Sequence, residues 1–393
     1  MRRAIWACLM MLVVAPFAHG QAPLAADPED DAALASVIHD LCDKKIALLG
    51  EAAGHGDGHT EAFKVRLVRE LVTRCGYHAV FFEASHYEFL DLERSLQMGQ
   101  SVTAERLGQA VGGVWKFERE VQPLLPFLAA EANAGRIHLG GLDGQLGGLE
   151  QSYANDIMPE RLTGVLNEPL RTQCRAAIHR RMYWDYTDAA PYDAADKQFL
   201  LTCVSDIAGA LQPADATQQQ ELKNLDLYLR LDQTELATLI AGRDRAMYQN
   251  FRWLADRLGP RAKIIVWTAT AHAAKDATAY PPFATVKALG AYIHEIYGDN
   301  AFALGFSARS GAFRWSRKTN RPIATPQDGS LEASVGGGAA TGYLDRTQLR
   351  KLGVVPGGSF DHIPHPVDWA KSLDGVIVFD EERPPHSTRP GYD

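Results

Sequence analysis

Five side chains able to move protons or hold a metal fall within eleven consecutive positions, in the run Glu51-Ala-Ala-Gly-His55-Gly-Asp57-Gly-His59-Thr-Glu61. Glycines at 54, 56 and 58 flank them, and glycine lets a backbone turn tightly and approach a ligand. A histidine beside carboxylates is a general-base arrangement, because the carboxylate orients the ring and stabilises the imidazolium. Glu51 and His55 are the strongest pair. Asp57 and His59 suit hydrogen bonding within the loop, and Glu61 suits the first turn of a helix. The same chemistry recurs later, at Glu83, at Asp143 with Gln145, and at His272. Two His and one Glu would also suit zinc, from His55, His272 and Glu51 or Glu83. There is no G-x-S-x-G elbow, phosphate-binding loop, dinucleotide fingerprint or H-E-x-x-H helix, which disfavours a serine esterase.

These residues share a position. Each follows an apolar run of strand type: Ile46–Leu49 before Glu51, His78–Glu83, Ile137–Leu142 before Asp143, and Lys263–Trp267 before His272. Helical patterns fill the intervals, over Asp27–Leu41, Glu61–Arg74, 86–98, 103–110 and Glu118–Ala134. Others cover Arg243–Leu258 and Ala284–Tyr297, with further strands at Ala301–Phe306 and Val376–Phe379. Alternating strands and helices predict an α/β protein with a mainly parallel β-sheet flanked by helices, whose strand ends share one rim. The expected core is 21–145 and 246–380, with a helical insertion subdomain over 146–245 and a flexible tail at 381–393. Within the insertion Tyr183, Trp184 and Tyr186 are candidate lining for a large cleft.

The chain is 46% apolar and 22% charged, an ordinary globular composition, and its net charge of −8 argues against nucleic-acid or anionic-membrane partners. Arg2 and Arg3 precede a short apolar stretch to Pro16, and small residues end at Gly20. This predicts a signal peptide over 1–20, a periplasmic or secreted mature protein, and no stable membrane association after cleavage. In that compartment Cys42 and Cys75, each just before a strand, are expected to pair, as are Cys174 and Cys203.

Taken in order, these motifs resemble the erythromycin esterase family. Its G-E-x-x-H-G is matched by Gly50-Glu51 and His55-Gly56, its strand-ending glutamate by Phe82-Glu83, and its G-F-D-x-Q by Gly141-Leu142-Asp143-Gly144-Gln145. R-D-x-x-M-x-x-N is matched by Arg243-Asp244, Met247 and Asn250, and S-L-E by Ser330-Leu331-Glu332. W-A-H-N-x-H resembles Trp267-Thr268-Ala269-Thr270-Ala271-His272. The resemblance implies an enzyme that opens macrolide lactones or other esters with activated water and no cofactor. His55 would be the base and Glu51 and Glu83 the supporting glutamates; Lys64 stands where the family has arginine, and Lys64 and His272 would stabilise the oxyanion. Asp143, Gln145, His59 and Trp115 are the expected contacts to a small-molecule ester or lactone. The chain departs from the pattern twice: one extra residue separates Glu51 from His55, and Ala269 and Thr270 replace the first His-Asn of the H-N-x-H motif. Other readings of the same residues are a metal- or haem-binding rim and a non-catalytic relative.

Overall fold

The computed structural model describes residues 30–389 except 53, 147–151, 213–214, 232–233, 317–318 and 336–339. The expected signal peptide lies outside the described residues. The strands are β1 Ile46–Leu49, β2 Ala79–Ser85, β3 His138–Asp143, β4 Ile264–Trp267, β5 Ala301–Ser316, β6 Thr319–Pro322, β7 Thr341–Asp345, β8 Val354–Gly357, β9 His365–Asp368 and β10 Gly375–Glu382. The main sheet runs β3-β2-β4-β1-β5-β10-β7. All its neighbours are parallel except edge strand β7 against β10, and β6 pairs antiparallel with the outer part of β5. β8 and β9 form a separate antiparallel pair.

β1, β2 and β4 are buried at every residue. Their alternating side chains feed two cores. Ala47, Leu49, Val80, Phe82, Ile265 and Trp267 enter one, and Ile46, Leu48, Ala79, Phe81, Ile264 and Val266 enter the other. A parallel sheet covered on both faces requires this, which is why these strands read as unbroken apolar runs. The helix after β1, Gly58–Cys75, packs Phe63, Leu67 and Leu71 on the first core and stops at Gly76, whose φ of 69° is the left-handed region a helix end favours. Between β3 and β4 the described elements are helical, ending with Leu236–Leu258, which runs across the 245–246 junction expected between insertion and core.

Several expected elements shift. The helix expected from Glu118 begins at Leu124; the residues before it form a turn in which Glu118 O accepts the Val121 and Gln122 N–H groups. The helix expected from Ala284 begins at Leu289, where the Asp244 carboxylate accepts the Leu289 N–H. β5 runs ten residues past its expected end at Phe306 to Ser316, leaving the buried sheet to form the β6 hairpin. Residues 383–389, expected as a loose tail, lie against the 117–120 segment: Arg119 N–H donates to His386 O, Thr388 N–H to Phe117 O, and His386 N–H to Glu120.

Both expected disulfides are present, Cys42–Cys75 with Cα atoms 4.9 Å apart and Cys174–Cys203 at 5.6 Å. Cys42 and Cys75 close the helices that precede β1 and β2, and Lys263 Nζ donates to both their carbonyls. Replacing both cysteines with serine is expected to cost about 2–4 kcal/mol of unfolding free energy, because the bridge restricts the unfolded chain. Urea denaturation of the oxidised protein checks this, and an unchanged midpoint would refute it. No described helix is long and apolar enough to cross a membrane.

Candidate active site

The carboxyl ends of β1 to β4 open onto a cleft of about 780 Å³. His55, Glu83, Trp115, Asp143, Gln145 and His272 line it, together with Arg243, Ala269 and Arg314. Topology explains the convergence: β4 inserts between β1 and β2, so the residues at or just beyond the carboxyl ends of three adjacent strands meet, and β3 brings Asp143 from the next position.

One wall is a chain of three ionisable groups. Lys64 Nζ donates to Glu51 Oε2 at 2.7 Å, and Glu51 Oε1 faces His55 Nδ1 at 2.5 Å and accepts the Trp115 indole N–H at 2.9 Å. Glu51 and Lys64 are fully buried, whereas the His55 side chain keeps 19% of its surface exposed. Burial alone would push the Glu51 carboxyl up; the Lys64 charge and the hydrogen bond with His55 outweigh it and hold the pKa below the usual range. Burial likewise disfavours a charged His55, but the hydrogen bond and charge of Glu51, then the charge of Glu83, raise its pKa. Lys64 is lowered by burial, only partly offset by Glu51, and sits 4.1 Å from the centre of the Trp267 ring.

The turn that presents His55 is shaped by contact. His55 has φ 54°, uncommon for a residue with a side chain, and at Gly56 an added Cβ would lie 2.0 Å from Arg314 O. Asp57 fixes the loop from its far end, accepting the Ala52 N–H at 3.1 Å and facing His362 Nε2 at 2.7 Å. The supporting role expected of Asp57 is therefore what its contacts describe.

Arg243 organises the opposite wall. Its guanidinium reaches Glu83 Oε1 at 2.6 Å, Asp143 Oδ2 at 2.7 and 3.0 Å, and His272 Nε2 at 2.9 Å. The other Glu83 oxygen accepts the Thr268 hydroxyl at 2.6 Å and the Ala269 N–H at 2.9 Å. Burial opposes the Glu83 charge, but His272, Arg243 and His55 together hold it well below the carboxylate range. Asp143 also accepts the Gln145 N–H, an Asx turn that sets Gln145 on the rim. His272 Nδ1 lies 2.9 Å from Asp244. Burial disfavours the imidazolium; the charges of Asp244 and Glu83 outweigh it and raise the His272 pKa. Because a guanidinium only donates, its contact with Nε2 holds while that nitrogen is unprotonated, so this geometry is that of the neutral Nδ1–H ring.

Three expectations change. Lys64 does not line the cleft: its ammonium is spent on Glu51, so it cannot meet an oxyanion there. His59 is also outside the cleft, stacked on Phe379 with its nitrogens facing Glu381 O and Asp30, and does not fill the space beside Ala269. Tyr183, Trp184 and Tyr186 do not line it either; Trp184 packs with Tyr186, Tyr192 and Arg181 at the surface of the helical region. Arg243 was legible only as part of a motif, since nothing in its local sequence announces that three partners from distant segments converge on it. The zinc set does not assemble, because a guanidinium occupies the Nε2 side of His272 and Asp244 its Nδ1 side, which leaves neither ring nitrogen to a metal.

The fold is that of an α/β protein whose sheet carries a carboxylate–histidine rim along a cleft at its carboxyl edge. A model of the erythromycin esterase family matches residues 72–382, and the chain belongs to that family. The match begins beyond Glu51, His55 and Lys64, so those residues rest on their own geometry. The chain is 26% identical over 352 residues to YbfO of Bacillus subtilis (strain 168), whose name assigns it provisionally to the hydrolases, covering 80% of this chain and 76% of that one. Among solved structures it resembles a succinoglycan biosynthesis protein (TM-score 0.68, 17% identity, 93% and 95% of the two chains). It also resembles a mutant of the erythromycin esterase EreC in its open conformation (TM-score 0.63, 13% identity, 90% and 94%). These likenesses carry the fold.

Proposed function

We propose that the protein is a periplasmic or secreted hydrolase that cleaves a small-molecule carboxylic ester or lactone with a water activated by His55. The observation that carries this reading is the buried Lys64–Glu51–His55 chain, which ends in the cleft facing Arg243 and His272. Glu51 takes the Nδ1 proton in hydrogen bonding, which leaves Nε2 as the base. Water attacks the carbonyl carbon as its proton passes to Nε2, and the oxyanion forms facing the Arg243 guanidinium, which His272 helps to position through its unprotonated Nε2. The acyl C–O bond then breaks, and the departing alkoxide takes the proton from His55. An oxyanion donor of this kind is worth roughly 3–4 kcal/mol in hydrolases. Lys64 keeps Glu51 ionised rather than touching substrate. Macrolide lactones are the substrates suggested by family membership, and Ala269 in place of the family histidine favours a different ester. The disulfides agree with an oxidising compartment.

The experiment is the pH dependence of kcat/KM in wild type and Glu51→Gln. A base must be neutral, so activity should rise with pH through the His55 pKa, at a value above that of an ordinary histidine. Glu51→Gln removes the charge that raises that pKa, so its rate should fall and its acid limb should move to lower pH. An acid limb at the same pH in both proteins would reject His55 as the base.

A further inference from the structure

Behind the wall that carries Trp115, three glutamates converge. Glu61, at the start of helix Gly58–Cys75, brings a carboxylate oxygen within 4.8 Å of oxygens from Glu118 and Glu120. All three are buried, Glu61 completely. Glu118 has the Arg314 guanidinium at 3.5 Å, and Glu120 has His386 Nδ1 at 2.7 Å. Glu61 differs: both its oxygens are buried and neither has a hydrogen-bond partner. The nearby Lys64 ammonium is bonded to Glu51.

A carboxyl group in this position has two ways to be stable. Burial, then the charges of Glu118, Glu51, Glu120 and Asp57, raise its pKa well above normal, which would favour a proton. A proton would satisfy only one side of the group, however: it sits on one oxygen, and the other buried Glu61 oxygen still has no donor. The alternative is a shared cation. Oxygens bound to one calcium ion at about 2.3–2.6 Å stand up to about 5 Å apart, and calcium takes only oxygen ligands, commonly several carboxylates. The spacing of these glutamates fits that geometry. The positions also give such an ion work to do: it would join the helix behind the Glu51–His55 loop to the segment bearing Trp115. That segment in turn pairs with the chain end, Glu118 bridging to Ser387.

We propose that Glu61, Glu118 and Glu120 form a structural binding site for a hard divalent cation of calcium size, beside the catalytic rim, with Glu118 at the margin of the same cleft. The test does not depend on hydrolysis. Mature protein freed of metal is dialysed to equilibrium against calcium chloride, beside Glu61→Gln, which removes one ligand charge without altering side-chain shape. Wild type should retain about one calcium per chain, and Glu61→Gln should bind roughly tenfold more weakly or not at all. The thermal midpoint of wild type should rise with calcium, and that of the variant should stay flat. No calcium retained by wild type at millimolar concentration overturns the proposal without any variant. Equal retention by wild type and a folded Glu61→Gln overturns it too.

Discussion

Arg243→Met is expected to lose about 3–5 kcal/mol of unfolding free energy, the cost of leaving buried charges without their partner. Arg243 satisfies Glu83 and Asp143 at once, at 2.6 and 2.7 Å, and both carboxylates are buried. Methionine fills much of the same space and offers no donor, so two neighbouring carboxylates would face each other uncompensated. One must then take a proton or water must enter, and either change would also disturb His272, whose Nε2 meets the same guanidinium. Urea denaturation at neutral pH measures the loss. Adding Glu83→Gln and Asp143→Asn to Arg243→Met removes the stranded charges and should restore much of the stability without restoring turnover. An Arg243→Met midpoint equal to that of wild type would contradict the clamp.

What the sequence made legible follows the physics of each region. Buried parallel strands must be apolar on both faces, so β1, β2, β4 and the inner part of β5 stand out, and with them the polar residues at their ends. β8 and β9 were not legible: each is four residues long and carries a proline, and Pro356 and Pro366 stand opposite each other in the pair. β7 is an edge strand of five residues with a glycine. For the site, Glu51, His55, Glu83, Asp143 and His272 could be found because each lies at the carboxyl end of a strand or just beyond it. Which way each side chain turns was not legible. Lys64, in the second turn of its helix, points inward to Glu51; His59, five residues earlier, points away to Asp30. That choice is made by tertiary partners, Trp267 beneath Lys64 and Phe379 beneath His59, which no local pattern contains. The chain end misled for the same reason: its prolines and charges read as solvated, yet Glu382 is buried and accepts the backbone N–H groups that open the helix after β1.

The second large effect falls on His55 itself. His55→Asn is the informative replacement, because asparagine tolerates the left-handed backbone at φ 54° and cannot serve as a base near neutral pH. The loop, the Asp57 clamp and the Lys64–Glu51 pair should survive, so the denaturation midpoint should change little. Turnover should not survive: a positioned general base contributes roughly 10²–10⁴-fold to rate. The decisive measurement is hydrolysis of an aryl ester, a small lactone and a macrolide lactone by mature wild type and His55→Asn, assayed side by side. The account predicts turnover of at least one substrate by wild type and a loss of that size in the variant. Equal rates for the two folded proteins, or no turnover of any of these substrates by wild type, would contradict it.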